Sequence, residues 1–202
     1  MSAPFTVLMV CMGNICRSPM AEALLRLRLR SALGDGGDDL VRVHSAGTGF
    51  WHVGDQMNSP AASEVRARGG DPTSFRARGL ETAYLKESDL VLTATIEQVE
   101  YVAELVPDAA ARTFVLGEFA RLAPEVDASA LPAFDPSVEA VATRGRALVA
   151  AVDAARAGQP ARRADEVPDP YGMSRATFTA VGDQIEDAVT ALADLLVPVD
   201  GR

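Results

Sequence analysis

One stretch, residues 10–19, constrains the fold more than any other, and it reads V-C-M-G-N-I-C-R-S-P. An apolar run precedes it and a helix-like run follows it. A loop between a strand and a helix turns backbone N–H groups toward one point, where the helix dipole attracts an anion. Gly13 and Asn14 tolerate the left-handed backbone conformations that such a curled loop needs. The stretch therefore predicts a phosphate-binding loop after the first strand.

The same loop carries a nucleophile, Cys11. A helix N-terminus and a nearby arginine can lower a cysteine pKa from about 8.5 to roughly 3.5–7.5, which favours the reactive thiolate. Arg17 offers a planar fork that matches two phosphate oxygens. The Ser18 hydroxyl is placed to donate to the sulfur and later to ease its departure, and Pro19 favours the start of a helix. The predicted phosphate-binding residues are Met12, Gly13, Asn14, Ile15, Cys16, Arg17 and Ser18.

Other interpretations of this loop explain fewer of its residues. A cysteine after an apolar strand is most often a small buried hydrophobe, but here it stands with Arg17 and Ser18 at a strand-to-helix junction. The nucleotide-binding pattern G-x-x-x-x-G-K-[ST] is absent. Cys11 and Cys16 also lack the spacing and the further ligands of a zinc site. We therefore expect no metal and no cofactor.

Composition limits the partners and the setting. The chain has 202 residues, which fits one domain, and a net charge of −9, which disfavours nucleic acid and anionic membranes. We see no signal peptide and no apolar run of membrane-spanning length. Only two cysteines are present, so a disulfide framework is not expected and a reducing cytoplasm is the natural setting. We expect a monomer.

Strand and helix patterns alternate along the chain. This alternation predicts an α/β fold of three layers, in which a small central parallel four-stranded sheet carries helices on both faces. The site loop would then lie beyond the carboxyl ends of the strands, where such sheets bind ligands. After the first strand, the predicted strands are residues 41–45, 90–94 and 113–116, and the predicted helices are residues 19–32, 58–68, 96–106 and 175–196.

Four motifs together resemble the low-molecular-weight protein tyrosine phosphatase family. They are V-C-x-G-N-I-C-R-S-P at residues 10–19, S-A-G-T at 45–48, W-H-V-G at 51–54 and D-P-Y at 169–171. The resemblance implies a phosphatase that acts on phosphotyrosine proteins or aryl phosphates. In it Cys11 forms a phosphocysteine, Arg17 clamps the phosphate, and Asp169 serves as general acid and then general base.

The resemblance also implies roles around the loop. Asn14 and Ser45 would brace it, and Trp51 and Tyr171 would line the rim and contact a phenyl ring. Asp135, which also precedes a proline, is a rival acid that we set aside because no aromatic residue follows it. Compared with the family pattern, Gly172 stands where a second aromatic residue is frequent, and Thr95 stands where an aspartate is frequent.

Residues 123–166 depart from the family pattern and are rich in Ala, Pro and Asp. We interpret them as an atypical insertion with one extra amphipathic helix, within a single phosphatase domain that spans residues 1–202. We expect the insertion to lie near the acid loop and to shape access to the site.

Two rival functions stay open. The fold also occurs in arsenate reductases, and a variant coupled to a small external thiol needs no relay cysteines beyond Cys11 and Cys16. A protein arginine phosphatase is the other, although Ile15 favours phosphotyrosine. Cys16 itself has two interpretations, as a packing residue under the loop or as a redox partner that forms a protective disulfide with Cys11. For His44 and His52 we expect structural or rim roles.

Overall fold

The computed structural model describes residues 3–198. Its centre is a sheet of four parallel strands in the order β2-β1-β3-β4, in which β1 pairs with both β2 and β3. All four strands begin at one edge of the sheet and end at the other. The strands are β1 (Phe5–Cys11), β2 (Val41–Gly47), β3 (Leu90–Thr93) and β4 (Thr113–Val115).

The described residues form eight α-helices, with short 3-10 turns between some of them. None of these helices is both long and apolar enough to cross a lipid bilayer. The helices are α1 (Arg17–Leu33), α2 (Gly37–Leu40), α3 (Ser59–Ala67), α4 (Thr82–Glu87), α5 (Ile96–Leu105), α6 (Leu116–Leu122), α7 (Val138–Arg156) and α8 (Arg175–Leu196).

Side-chain alternation along β1 divides the core into two layers. Val7 and Met9 point into the larger cluster, which includes buried residues of α1 and α8, whereas Leu8 and Val10 point into a smaller cluster that includes residues of α4 and α5. Successive side chains of a strand face opposite sides of a sheet, so helices must cover both faces. The prediction of a three-layer α/β fold with a four-stranded parallel sheet is confirmed.

The strand order places the loop after β1 where ligands bind in parallel α/β sheets. The chain order runs from β1 to one neighbour, β2, and then crosses to the other neighbour, β3. A crevice opens at the carboxyl ends of the strands where such a reversal occurs. Cys11 is the last residue of β1 and therefore lies at that crevice.

Local structure differs from the sequence prediction at several places, one of which is the short helix α4, where no helix is predicted. Helix α1 begins at Arg17, two residues before Pro19, so the arginine and Ser18 belong to its first turn. Residues 34–40, where no helix is predicted, form a 3-10 turn that continues into the single-turn helix α2. Helix α6 follows β4 without a loop and was not predicted, because its seven residues are too few for a clear helical period.

The expected insertion, residues 123–166, contains one long helix, α7. That helix packs against the starts of the strands, because Gly145 approaches the Phe5 ring and the Arg156 side chain donates to the carbonyl of Thr113. The site lies at the opposite edge of the sheet. The expectation that this segment lies near the acid loop is therefore wrong for its helix, and only its last residues lead into the site.

Candidate active site

The Cys11 sulfur lies on the floor of the loop, at the N-terminus of α1. The Ser18 hydroxyl oxygen is 2.9 Å from this sulfur, because the first turn of α1 starts directly after the loop. Unpaired N–H groups at a helix N-terminus and the dipole of the helix both favour negative charge there. The arrangement suits a thiolate that attacks an anion held by the same amides.

Asn14 determines the shape of the loop. It is fully buried and has a left-handed backbone conformation, with φ of 53°. Its side-chain Nδ2 donates to Ser18 Oγ at 2.9 Å and to Ser45 Oγ at 2.8 Å, while its Oδ1 accepts from the backbone N–H of Arg78 at 2.8 Å. These bonds compensate the backbone strain and connect the loop to β2.

Sequence reasoning missed one residue of this network, Glu22. Its carboxylate is buried and accepts a 2.6 Å hydrogen bond from Ser45 Oγ. Burial raises the pKa of Glu22, and the Ser45 hydrogen bond opposes this shift in part. A sequence signal did exist, since Glu22 follows Ser18 by one helical turn and so shares its helix face, between apolar neighbours.

Gly47 is required at the end of β2 by the close approach of the loop. A Cβ atom at this position would lie 2.7 Å from the carbonyl oxygen of Met12 and 3.0 Å from the backbone nitrogen of Asn14. No larger residue fits without moving the loop. The glycine of the S-A-G-T motif thus permits β2 and the phosphate loop to touch.

Arg17 connects the loop with Asp169, some 150 residues later in the chain. Its guanidinium donates to the carbonyl oxygen of Val167 at 3.2 Å, and its Nη2 is 3.2 Å from Asp169 Oδ2. The arginine side chain is buried, whereas the aspartate side chain is about half exposed at 49%. The structure therefore brings the predicted clamp and the predicted acid together at one mouth.

The segment before Asp169 is fixed to the carboxyl end of β3. The backbone N–H of Val167 donates to the carbonyl of Ala94, and Glu166 accepts from the backbone N–H of Ile96. Just before them, Asp165 forms two hydrogen bonds with Arg121, which lower the pKa of Asp165. These contacts hold the acid loop next to the phosphate loop.

Three aromatic rings stand around the mouth of the site. Trp51 and Tyr171 are 67% and 58% exposed, and His52 lies between them with ring centroids 6.4 Å from each. The Nδ1 of His52 is 2.8 Å from Asp55 Oδ2, which orients the imidazole ring. The pocket that they border has a volume of about 280 Å³. Its walls suit a flat aromatic group above an anion.

The predicted site residues fall into two sets. The residues of the first set line the pocket. The second set consists of Asn14, Ser18 and Ser45, which support the loop by hydrogen bonds beneath it. Asp135 and Thr95 do not line the pocket, and His44 is buried against Tyr84 and Ser88, away from it. The pocket-lining residues are Cys11, Met12, Gly13, Ile15, Cys16, Arg17, Trp51, His52, Asp169 and Tyr171.

Cys16 differs from Cys11 in its chemistry. Burial, together with the negative charges of Cys11 and Asp169, raises the pKa of the Cys16 thiol to about 12. Both cysteines are free thiols. Within residues 3–198, no three His, Cys, Asp or Glu side chains form a group that could hold a metal ion. The polar groups of the pocket are thus those of an anion site with a thiol at its floor.

Comparison with known proteins supports the resemblance. The family model "Low molecular weight phosphotyrosine protein phosphatase" matches residues 6–139. The "Low molecular weight protein-tyrosine-phosphatase" of Streptomyces coelicolor is 31% identical over 202 residues and covers 98% of each chain. The "Low molecular weight protein-tyrosine phosphatase A" of Mycobacterium tuberculosis is 50% identical over 91 residues, which cover 45% of this chain and 53% of the relative. The chain thus spans about half the length of that mycobacterial relative.

Solved structures share the fold at lower sequence identity. The arginine phosphatase YwlE of Geobacillus stearothermophilus superposes with a TM-score of 0.64 at 23% identity and covers 95% of this chain and 92% of its own. This similarity concerns the fold alone. The family model and the full-length Streptomyces relative decide the assignment: the chain belongs to the low molecular weight phosphotyrosine protein phosphatase family.

Proposed function

We propose that this chain is a protein-tyrosine phosphatase that hydrolyses aryl phosphate esters through a phosphocysteine. One observation carries the proposal: the Cys11 sulfur, the Arg17 guanidinium and the Asp169 carboxylate all line one pocket of about 280 Å³. A nucleophile, a cation for the phosphate and a proton donor are the groups that phosphate-ester hydrolysis requires.

In the first step, the Cys11 thiolate attacks phosphorus in line with the leaving oxygen. The S–P bond forms, the P–O bond to the aryl group breaks, and protonated Asp169 gives its proton to the leaving oxygen. Negative charge on the three remaining phosphate oxygens faces the loop amides and Arg17. Tyrosine leaves, and Cys11 carries the phosphate.

In the second step, the Asp169 carboxylate takes a proton from water, and that water attacks phosphorus. The S–P bond breaks, inorganic phosphate forms, and the Cys11 thiolate returns. Ser18 Oγ, 2.9 Å from the sulfur, donates a hydrogen bond that stabilises the departing thiolate. The enzyme is thereby restored for the next cycle, with Cys11 as a thiolate and Asp169 protonated.

Arg17 has a donor to spare for the phosphate. Its Nε is buried and has no hydrogen-bond partner within residues 3–198. A buried donor without an acceptor costs free energy, so a bound phosphate oxygen would relieve that cost. The Nη2 group now paired with Asp169 could then turn to a second phosphate oxygen, as the bidentate geometry of arginine favours.

The substrate class follows from the rim. The exposed rings of Trp51 and Tyr171 border the mouth, and an aromatic leaving group can pack between them. Phosphoserine is shorter and has no ring to fill this space. We therefore propose phosphotyrosine proteins as substrates, and Trp51 and Tyr171 as the residues that contact the phenyl ring.

The remaining proposals concern the whole protein. We propose a monomeric enzyme in the cytoplasm, because a thiolate nucleophile needs reducing conditions and both cysteines are free. We also propose one phosphatase domain over residues 1–202, with residues 123–166 as an insertion whose helix α7 supports the strand starts. This location of α7 argues for a role in stability rather than in access.

A panel of substrates tests the function. The wild type, Cys11→Ser and Asp169→Asn variants are compared on phosphotyrosine, phosphoserine and phosphoarginine peptides, and on arsenate with a small thiol donor. We expect hydrolysis of phosphotyrosine alone, and its loss in Cys11→Ser. Preference for phosphoarginine would favour the arginine phosphatase, thiol-dependent arsenate reduction would favour the reductase, and full activity of Cys11→Ser would exclude Cys11 as the nucleophile.

A further inference from the structure

A second groove begins where the phosphate pocket ends. It has a volume of about 430 Å³ and runs between the turn after β2 and one face of α5. Met12 and Trp51 line both the phosphate pocket and this groove, so the two share a wall. A substrate with its phosphate in the pocket would extend its neighbouring residues into the groove. We call it the α5 groove.

Three carboxylates of helix α5 line the α5 groove, and they belong to Glu97, Glu100 and Glu104. Their spacing of three and four residues places them on one helix face. All three are exposed, and within residues 3–198 none of them takes part in an ion pair. The groove therefore presents negative charge that no neighbouring side chain neutralises.

Glu100 and Glu104 do not stabilise helix α5. Like charges one turn apart destabilise a helix, and a carboxylate near the C-terminus of a helix opposes its dipole. Glu104 lies in the last turn of α5, and no basic residue stands there to compensate. Glu97 lies in the first turn, where a carboxylate is favourable, so the unfavourable part of this face is the pair Glu100 and Glu104. A cationic ligand would remove the repulsion within that pair.

Exposed apolar groups line the same groove as these carboxylates, two from the loops near the phosphate pocket and one from α5 itself. Met12, Trp51 and Tyr101 are 43%, 67% and 36% exposed, and all three line the α5 groove. Aromatic faces attract guanidinium and ammonium groups, and the alkyl stem of an arginine or lysine packs well on such surfaces. Aromatic rings together with carboxylates form a site for a long cationic side chain rather than for an apolar or anionic one.

We propose that the α5 groove binds an arginine or lysine side chain close in sequence to the phosphotyrosine of a substrate protein. The proposal rests on the proposed phosphatase function and adds a substrate preference to it. The substrate then offers a pattern of charge that complements the enzyme: a phosphate for Arg17 and the loop amides, and a cation for Glu97, Glu100 and Glu104. Such complementarity selects among phosphotyrosine sites, which the small phosphate pocket alone cannot do.

The experiment compares kcat/KM for three sets of phosphotyrosine peptides of equal length. The residues that flank the phosphotyrosine are arginine, alanine or glutamate, and p-nitrophenyl phosphate serves as a substrate that is too small to reach the groove. For the wild type we expect a preference for arginine over glutamate of roughly tenfold, mainly through KM, since exposed ion pairs are individually weak. The preference should shrink as salt is added.

Two variants with the same change of net charge locate the effect. The triple variant Glu97→Gln, Glu100→Gln, Glu104→Gln should lose the preference for arginine and keep its activity on p-nitrophenyl phosphate. A control triple variant, Glu125→Gln, Glu139→Gln, Asp187→Asn, changes exposed carboxylates away from both pockets and should keep the preference. Tyr101→Ala should reduce the preference several-fold, because the ring no longer covers the cation.

Each result either supports or overturns the proposal. Equal kcat/KM for the three wild-type peptide sets, or a preference that survives in the Glu97/Glu100/Glu104 variant, would overturn it. An equal loss in the control variant would assign the effect to net charge and would also overturn it. Failure of the wild type to hydrolyse p-nitrophenyl phosphate and every peptide would instead contradict the proposed function, so the two failures are distinguishable.

Discussion

The Ser45 hydroxyl donates a 2.6 Å hydrogen bond to the buried carboxylate of Glu22, which lies behind the phosphate loop. An ionised carboxylate can only accept, so the hydroxyl proton must point to Glu22. Ser45 Oγ is then free to accept from Asn14 Nδ2, whose other N–H donates to Ser18 Oγ. The Ser18 proton is left to point at the Cys11 sulfur. Glu22 thus fixes the direction of the Ser45 proton, and Asn14, whose amide is oriented by the Arg78 N–H, leaves the Ser18 proton for the nucleophile.

Ser45→Ala should reduce both stability and activity. The substitution removes the donor to a buried carboxylate and one acceptor of Asn14, and an unsatisfied buried group costs about 1–3 kcal/mol. Urea unfolding and kcat/KM on p-nitrophenyl phosphate measure the two effects. The double variant Ser45→Ala, Glu22→Gln should recover part of the stability, because it removes a buried charge that has lost its hydrogen-bond donor and keeps only the 3.7 Å ion pair with Arg26. Additive losses in the double variant would mean that the two residues are not coupled.

The stability of the wild type should depend on the ionisation of Glu22. Burial raises the pKa of Glu22 above its unfolded value, so the folded state holds the proton more tightly and loses stability as pH rises through the folded pKa. Glu22→Gln does not titrate at this position. Relative to the wild type it should gain stability as pH rises above 4.5, the ordinary pKa of a glutamate, and a tenfold difference in proton affinity between the folded and unfolded states corresponds to about 1.4 kcal/mol. Glu139→Gln, which removes an exposed carboxylate, should show no such trend in urea unfolding.

Two substitutions of Asn14 separate its side chain from its backbone. Asn14→Ala and Asn14→Gly both lose the hydrogen bonds to Ser18, Ser45 and Arg78, and both should lose about tenfold or more in kcat/KM. Only alanine also suffers from the positive φ of 53°, which costs a residue with a Cβ roughly 1–2 kcal/mol. The glycine variant should therefore unfold at higher urea concentration. Equal midpoints would show that the loop relaxes out of the left-handed conformation.

Alkylation should distinguish the two cysteines. The pKa of Cys16 is raised to about 12, so its thiol stays protonated at pH 7 and does not react, whereas Cys11 faces the anion pocket at a helix N-terminus. Iodoacetamide should label Cys11 in the native wild type and leave native Cys11→Ser unlabelled. Peptide mass spectrometry gives the site. Labelling of Cys16 after unfolding in urea is the control, and native labelling of Cys16 would contradict the assignment.

Asp169→Asn should matter most for poor leaving groups. The general acid contributes about 10²–10⁴-fold when the leaving oxygen needs a proton, and much less when the leaving phenolate is already stable. We expect a large loss of kcat/KM on phosphotyrosine and a small loss on a nitrophenyl phosphate. Asp135→Asn, the matched change in the rival Asp-Pro pair, should leave both rates unchanged because Asp135 does not line the pocket. Equal losses on both substrates would exclude Asp169 as the acid.

The sequence by itself determined the local parts of this protein. Strand periodicity, the C-M-G-N-I-C-R-S-P loop and the last helix depend on neighbours within a few residues, and the structure has them close to the predicted bounds. The sequence also predicted both halves of the proposed site, Cys11 with Arg17 from the loop itself, and Asp169 with Tyr171 through the family resemblance that the D-P-Y motif carries.

Only the tertiary structure decided what distant residues do to one another. Glu22 joins the loop through Ser45 because parallel pairing of β1 with β2 brings that strand beside α1, a relation that no local pattern encodes. Helix α7 covers the starts of the strands instead of the acid loop, because its apolar side chains pack into the larger core cluster there. The α5 groove likewise depends on tertiary structure, because one wall comes from the turn after β2 and the other from α5. Contacts across a sheet depend on strand order and packing, and those arise from the whole chain at once.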